Sequence, residues 1–436
     1  MKDNDNHYQP AKAWGIASLL FVFMAVNFID KTVVGLLAVP MMDELKLTPQ
    51  EFGLVGSSFF WLFSIAGVLG GFVSNRVATT GMLLVMALTW SVFQLPMALS
   101  SSLAVLIMSR VLLGIAEGPA FPVAVHACYK WFPGDRRNVP VTVFSQGASV
   151  GLLLAGIGIP LISSHWGWRA NFYLLAAVGM VWAVAWMILG KEGPIGAGPR
   201  DHAARAGEPH MPYKKLLLDR TVLGCFLLHF VAYLCLALSL TWLPAYLQRG
   251  LGFGSIESGR IYAVIVAVGL PVGILVSWVS QRMLTRGISS RMARGVFSSV
   301  LLIVSGMAFV ALQLDGLPPA WRIAAITLAA ALSPVIYSLG PAMLAEASPN
   351  SQRGAVLAID NSIASLAGVA APILMGYFVQ HVPGAAGYHL GFATCGVMMV
   401  AGGLASMWMI DPERTATRSF ETAERQARSI GSPGRA

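Results

Sequence analysis

Charge is scarce in this 436-residue chain: Asp, Glu, Lys and Arg together make up 11% of it, against about 25% in soluble domains. With hydrophobic residues at 56%, so little charge excludes an ordinary soluble fold. Cysteine is equally sparse. Cys128, Cys225, Cys235 and Cys395 fall in or at the ends of apolar runs, without CxxC spacing or paired histidines, so neither a disulfide framework nor a metal site is expected. No P-loop, H-E-x-x-H or G-x-S-x-G stands at an interfacial position with supporting residues, which argues against an enzyme and gives no reason to expect a cofactor. The net charge of +9 would suggest nucleic acid in a soluble protein, but here the bases are scattered over short loops with no single basic face, and no nucleic-acid partner is expected.

What the sequence has in abundance is long apolar runs. Twelve are each long enough to cross about 30 Å of hydrocarbon, at roughly 14–39, 52–73, 81–101, 103–127, 139–163, 170–190, 221–247, 257–279, 292–313, 322–346, 354–379 and 386–410. The reading is an all-α membrane protein of twelve transmembrane helices. No small-residue cleavage site follows the first run, so it reads as a retained helix and not a signal peptide. With both termini placed in the cytoplasm, only Lys46, Arg169, Arg249, Arg260 and Arg322 fall on the opposite side and only Lys31 and Arg110 within spans, which fixes the orientation by the positive-inside rule.

Charges inside spans need a reason, because each costs about 2.5–3.5 kcal/mol by insertion measurements. Arg110 and Glu117, in SRVLLGIAEGPAFP, are seven residues apart, about two helical turns, and so share one helix face. That face is expected to line a polar cavity; the alternative is a structural ion pair buried between helices. Asp30 and Lys31 are adjacent in the first span and point about 100° apart, so each must find another partner. Asp30 reaches a depth similar to that of Arg110, and a pair between them is expected. Lys31 is then left free for an anionic substrate, unless it snorkels to the interface.

The second span ends in GGFVSNRVATTG and the eighth in SWVSQRMLTRGISSRMAR, with similar short turns in corresponding places of two halves. Six helices, a polar linker and six more imply an internal repeat. The expected organisation is a six-helix bundle at 1–190, a cytoplasmic linker at 191–217, a second six-helix bundle at 218–412 and a cytoplasmic tail at 413–436.

Two six-helix halves, the degenerate G-x-x-x-[DN]-[RK] turn at Gly71 to Arg76, and RVLLGIAEGPAFP followed by YKWFPGDRR resemble the major facilitator superfamily. Within it, the chain is similar to the anion:cation symporters, the family of sialin and of bacterial sugar-acid/proton symporters. The likeness rests on NFID at Asn27 to Asp30, WFPGDRR at Trp131 to Arg137, WGWRANFY at Trp166 to Tyr173, TWLPAYL at Thr241 to Leu247 and DNSIASLAGVAAPILMG at Asp360 to Gly376.

The resemblance implies a major facilitator fold and proton-coupled import of an organic anion. It assigns proton coupling to Asp30 and Glu117, and substrate binding to Lys31 and Arg110. Lys31 stands where the family usually has Arg, and loses the bidentate fork suited to a carboxylate. Sugar-acid members carry tyrosines before the first acid and in the second helix and a glutamine in the fifth; here those positions read Phe28, Phe63 and Ala148. Losing two hydroxyls and an amide disfavours a polyhydroxylated substrate and favours a small carboxylate or sulfonate, or an aromatic acid. Gln146, near Ser149, is the candidate for replacement polarity. Asn361 matches a substrate-side asparagine and is favoured over Asp360, whose own role stays open; His229 and Tyr233 are candidates in the seventh span. The resemblance places the chain in a bacterial inner membrane, acting as a monomer with protons, membrane lipid and a small organic anion as its partners. An exporter or drug antiporter of the same fold is the competing reading.

Overall fold

The architecture is taken from a computed structural model, described for residues 9–74, 76–133, 136–194, 211–349 and 352–415. Asn75 of the Gly71 to Arg76 turn, Gly134 and Asp135 of WFPGDRR, residues 195–210 of the expected linker and 416–436 of the expected tail lie outside the described residues.

Among the described residues there are helices and turns and no strand. Twelve helices of the described residues are long and apolar enough to cross a membrane, and they fall where the apolar runs predict: α1 Pro10–Leu36, α2 Pro49–Ser74, α3 Thr79–Leu99, α4 Leu103–Tyr129, α5 Val139–Trp166, α6 Arg169–Leu189, α7 Arg220–Thr241, α8 Ser255–Thr285, α9 Arg291–Gln313, α10 Pro319–Ala347, α11 Arg353–His381 and α12 Ala385–Met409. This is an all-α multi-pass membrane protein.

The chain forms two compact units. The first comprises Met1–Gly196, Ala237–Val268 and Gly368–Gly391; the second comprises Ala197–Leu236, Gly269–Ala367 and Phe392–Ala436. In the first unit α1 lies against α5 at a distance that only glycine permits: a Cβ on Gly147 or Gly151 would stand 2.2 Å from the carbonyl oxygen of Phe21 or Ala25. Helices α3 and α6 join through aromatic contacts, with Phe23 between Trp90 and Trp182 and Trp182 stacked on Trp186. At the loop ends of α4 and α6, Glu192 accepts hydrogen bonds from Lys130 and from the backbone and hydroxyls of Thr79 and Thr80, supplying partners for N–H groups that open α3. Burial alone would raise the Glu192 carboxyl, but the hydrogen bonds from Lys130, Thr80 and Thr79 outweigh it and hold its pKa at about 2.

Segments 237–268 and 368–391 complete the first unit at the ends of α1, α2 and α5 remote from the N-terminus. Thr32 shares a hydrogen bond with Tyr262 at 3.1 Å, the Gln50 N–H donates to the Gln380 side chain at 3.1 Å, and Trp242 Nε1 donates to the Pro372 carbonyl at 3.0 Å. Arg249 pairs with Asp43 beside them. In the second unit, Ser406 donates to the Gly224 carbonyl and links α12 to α7, while Arg294 of α9 meets Glu346 of α10 at 2.8 Å.

Candidate functional site

The first unit gathers four charged side chains from two helices. Asp30 and Lys31 come from the last two turns of α1, Arg110 and Glu117 from α4. Asp30, Arg110 and Glu117 are each 1% exposed; Lys31 is half-buried. The seven-residue spacing does place Arg110 and Glu117 on one face, since both reach α1. Glu117 accepts a hydrogen bond from Asn27 Nδ2 at 2.8 Å, and Arg110 donates from Nη1 to the backbone carbonyl of Asp30 at 3.3 Å.

Two glycines bring a third helix close enough to contribute. A Cβ on Gly114 would lie 1.9 Å from the carbonyl oxygen of Phe59, and one on Gly118 2.3 Å from that of Phe63, so α2 rests directly on α4 between and beside its two charges. The regular part of α4 ends at Glu117, because Pro119 has no N–H for the carbonyl of Ile115. This contact delivers two aromatic faces. The ring of Phe59 lies 4.6 Å from the Arg110 guanidinium, and Lys31 Nζ sits 4.4 Å from the ring centroid of Phe28 and 5.1 Å from that of Phe63. Aromatic faces attract a cation by about 0.5–2 kcal/mol each without neutralising it.

Two expected contacts are corrected. Arg110 reaches the backbone oxygen of Asp30 and not its carboxylate, and Lys31 is not free. Lys31 donates to Asn27 Oδ1 at 2.8 Å while the amide of the same asparagine donates to Glu117, so Asn27 relays between base and acid. One short amide bonds both ions because residues four apart on α1 stack on one face. Asn27 was visible in NFID as part of a motif, with nothing in the sequence to give it this role. Gln94 of α3 is the other residue that sequence reading passed over. It is 1% exposed and faces the Asp30 carboxyl, although neither of its amide atoms meets hydrogen-bond geometry. A lone glutamine in the apolar run 81–101 was the available signal.

All four charges lie within electrostatic reach of one another through Glu117, which feels Asp30, Lys31 and Arg110. With every group ionised, two acids and two bases sum to zero. Several of their atoms retain bonding capacity: Asp30 Oδ1, Arg110 Nε, Glu117 Oε1 and both amide atoms of Gln94 are buried without a hydrogen-bond partner among the described residues. Such atoms are uncommon in folded proteins and concentrate where something else is bound.

The structure thus brings together Phe28, Asp30, Lys31, Phe63, Arg110 and Glu117. Gln146 is exposed on α5, next to the Gly147 that rests on α1, and does not join them. Asn361 is exposed in the second unit, while its neighbour Asp360 is buried there against His229.

Residues 19–333 and 288–434 match the Major Facilitator Superfamily. The chain belongs to that superfamily. Among its relatives in the superfamily, the hexuronate transporter of Bacillus subtilis is 29% identical over 406 residues, covering 89% of this chain and 91% of its own length. The "Probable sulfoacetate transporter" of Cupriavidus necator is 26% identical over 432 residues, covering 94% and 96%. A bacterial homologue of the human lysosomal transporter Spinster, solved inward-facing and occupied, has a TM-score of 0.77 over 95% of this chain and 98% of its own, at 18% identity. That last likeness speaks to the major facilitator fold alone. As a member of the superfamily the chain is a transporter and not an enzyme.

Proposed function

We propose that this transporter imports a small organic anion, a carboxylate or sulfonate, together with protons by alternating access. The observation that carries the reading is the cluster of Asp30, Lys31, Arg110 and Glu117, charge-balanced when all four are ionised and gathered from two membrane spans with every member but Lys31 fully buried. An anion entering it would leave an uncompensated negative charge in a poorly hydrated site, at a cost of several kcal/mol. One proton on Glu117 or Asp30 restores neutrality. Protonation of Glu117 weakens the bond from Asn27, because a neutral acid is a poorer acceptor than a carboxylate. Lys31 then loses its relayed partner and turns to the anion, between the rings of Phe28 and Phe63. Protonation of Asp30 removes the electrostatic hold of its carboxylate on Arg110, whose hydrogen bond to the Asp30 backbone carbonyl remains. Proton and anion therefore enter together or not at all. Gln146, as replacement polarity, and Asn361, by the family resemblance, remain candidates for substrate binding.

In this reading the chain sits in a bacterial cytoplasmic membrane with both termini inside, and the repeats at 1–190 and 218–412 are its two functional halves. The absence of hydroxyls at Phe28 and Phe63 supports a substrate with few hydroxyl groups. A sugar acid is the second reading, favoured by the relatives that transport hexuronate, D-galactonate and, for one named as probable, galactarate/D-glucarate.

Uptake of labelled sulfoacetate, benzoate, D-glucuronate and D-galactonate into proteoliposomes, with and without an inward proton gradient, tests it. At least one acid should be concentrated only when the gradient is imposed. Uptake indifferent to the gradient, or gradient-driven expulsion of cationic drugs with no anion uptake, would overturn the proposal.

A further inference from the structure

The second unit holds a buried acid and imidazole that the cluster around Lys31 does not use. His229 Nδ1 of α7 lies 2.5 Å from Asp360 Oδ2 of α11, and the two side chains are 6% and 2% exposed. The ring of Tyr337, from α10, lies 4.9 Å from that of His229. Tyr233 packs edge-on against Tyr337, and Cys225 is within electrostatic reach of Asp360 and of Asp219 beyond it. Cys235 likewise acts on Tyr337. Among the described residues, no Lys or Arg forms an ion pair with Asp360.

The choice of partner separates this pair from the half-buried ion pair between α9 and α10. Glu346 is held by Arg294. A guanidinium keeps its proton at any physiological pH, so that pair is fixed. An imidazole is the one base whose ordinary pKa lies near neutrality. A carboxyl and an imidazole sharing one hydrogen bond form a unit that is neutral with one proton and carries a charge of −1 without it, whichever of the two holds the proton. The remaining atoms are uncommitted: Asp360 Oδ1, His229 Nε2 and the Tyr337 hydroxyl are buried with no hydrogen-bond partner among the described residues. A pair serving only to join two helices would be expected to have its outer atoms satisfied.

Position adds a second argument. Helix α7 passes from the second unit to the first between Leu236 and Ala237, and α11 does so between Ala367 and Gly368. His229 and Asp360 each stand seven residues before that point, about two turns away on either helix. The pair therefore ties together the two helices just before both leave the unit.

We propose that His229 and Asp360 form a second proton-loading site, so that import of each anion draws on a proton held here in addition to one held at Asp30 or Glu117. This rests on the proton-coupled reading above. It assigns to Asp360 the role that the sequence left open.

Two measurements test it. In the full chain labelled with 15N-histidine, one imidazole should titrate between pH 5 and 9 and shift in Asp360→Asn. That signal is identified by its loss in His229→Gln or, should that variant not fold, by its survival when the other seven of the eight histidines are replaced. An imidazole that stays in one state across this range would overturn the proposal. In proteoliposomes, whichever of sulfoacetate, benzoate, D-glucuronate and D-galactonate the wild type accumulates under an inward gradient of one pH unit should reach about tenfold lower accumulation in His229→Gln and Asp360→Asn, because each coupled proton contributes one factor of ten per pH unit. Exchange of internal for external anion should persist in both. Wild-type accumulation undiminished in the two variants would overturn the second site while leaving the proposed function standing. Wild type that accumulates none of the four acids counts against the proposed function, and the imidazole titration then decides the second site alone.

Discussion

Replacing Gly114 by alanine perturbs the site without touching a charged group. The added Cβ would stand 1.9 Å from the carbonyl oxygen of Phe59, where ordinary contact begins at 3.4 Å. Since the obstacle is backbone, no rotamer change relieves it, and α2 must withdraw from α4 by about 1.5 Å, well beyond what packed helices tolerate without loss. Overpacking of this kind costs about 1–3 kcal/mol. The withdrawal also carries the ring of Phe59 away from Arg110, now 4.6 Å apart, and with it part of an attraction of about 0.5–2 kcal/mol. Gly71 of α2 has nothing within 4 Å of its would-be Cβ and serves as the control. Thermal unfolding of the purified protein in detergent reads the difference. Gly114→Ala should melt well below wild type, and Gly71→Ala at or slightly above it, since alanine favours a helix by up to about 1 kcal/mol. Equal melting of both variants and wild type would mean that α2 and α4 are not in backbone contact at the site.

Glu117→Gln keeps the shape and an acceptor for Asn27 but cannot release a proton. It should abolish accumulation driven by a proton gradient while anion exchange stays measurable, and gradient-driven accumulation at wild-type level would remove Glu117 from coupling. Lys31→Gln removes a charge-assisted hydrogen bond worth about 1.5–3 kcal/mol, so affinity for the transported anion should fall about ten- to hundredfold with the fold retained; unchanged affinity in a binding titration would exclude the ammonium from the site. The Glu192 carboxyl is held down to about 2, below its ordinary value of about 4.3. Its contribution to stability is therefore complete above the ordinary value and is lost as pH falls toward 2. The melting difference between wild type and Glu192→Gln should be constant from pH 8 to 5 and shrink below pH 4; a difference that instead grew on acidification would reverse the assignment. A reporter active only in the periplasm, fused after Ala436, should be silent, and activity there would invert the proposed orientation.

The twelve helices were legible because a span is a local property: about 20 apolar residues suffice, and a lipid environment leaves the backbone no alternative to internal hydrogen bonding. The shared face of Arg110 and Glu117 was legible for the same reason, since helical periodicity alone brings residues seven apart into line. So was the grouping of Asp30 with Arg110, because two buried charges of opposite sign at similar depth have few other places to go.

The contacts themselves were not legible. The sequence offers Lys31 no partner; its relay to Glu117 exists only because α4 presents Glu117 to the amide of Asn27. Arg110 pairs with a backbone oxygen, which no pattern of side chains encodes. His229 and Asp360 are 131 residues apart, and neither the lone histidine of α7 nor the acid of α11 signals the other. The sequence by itself determined that this protein spans a membrane twelve times, which residues carry charge into the spans, and on which helix faces they lie, since each follows from local composition and helical period. Tertiary structure alone decided which of those charges meet and through which amide. It also decided which acid is left to an imidazole, since such distances depend on how closely helices remote in the chain approach, and that is set by glycines whose meaning appears only once the neighbouring backbone is in place.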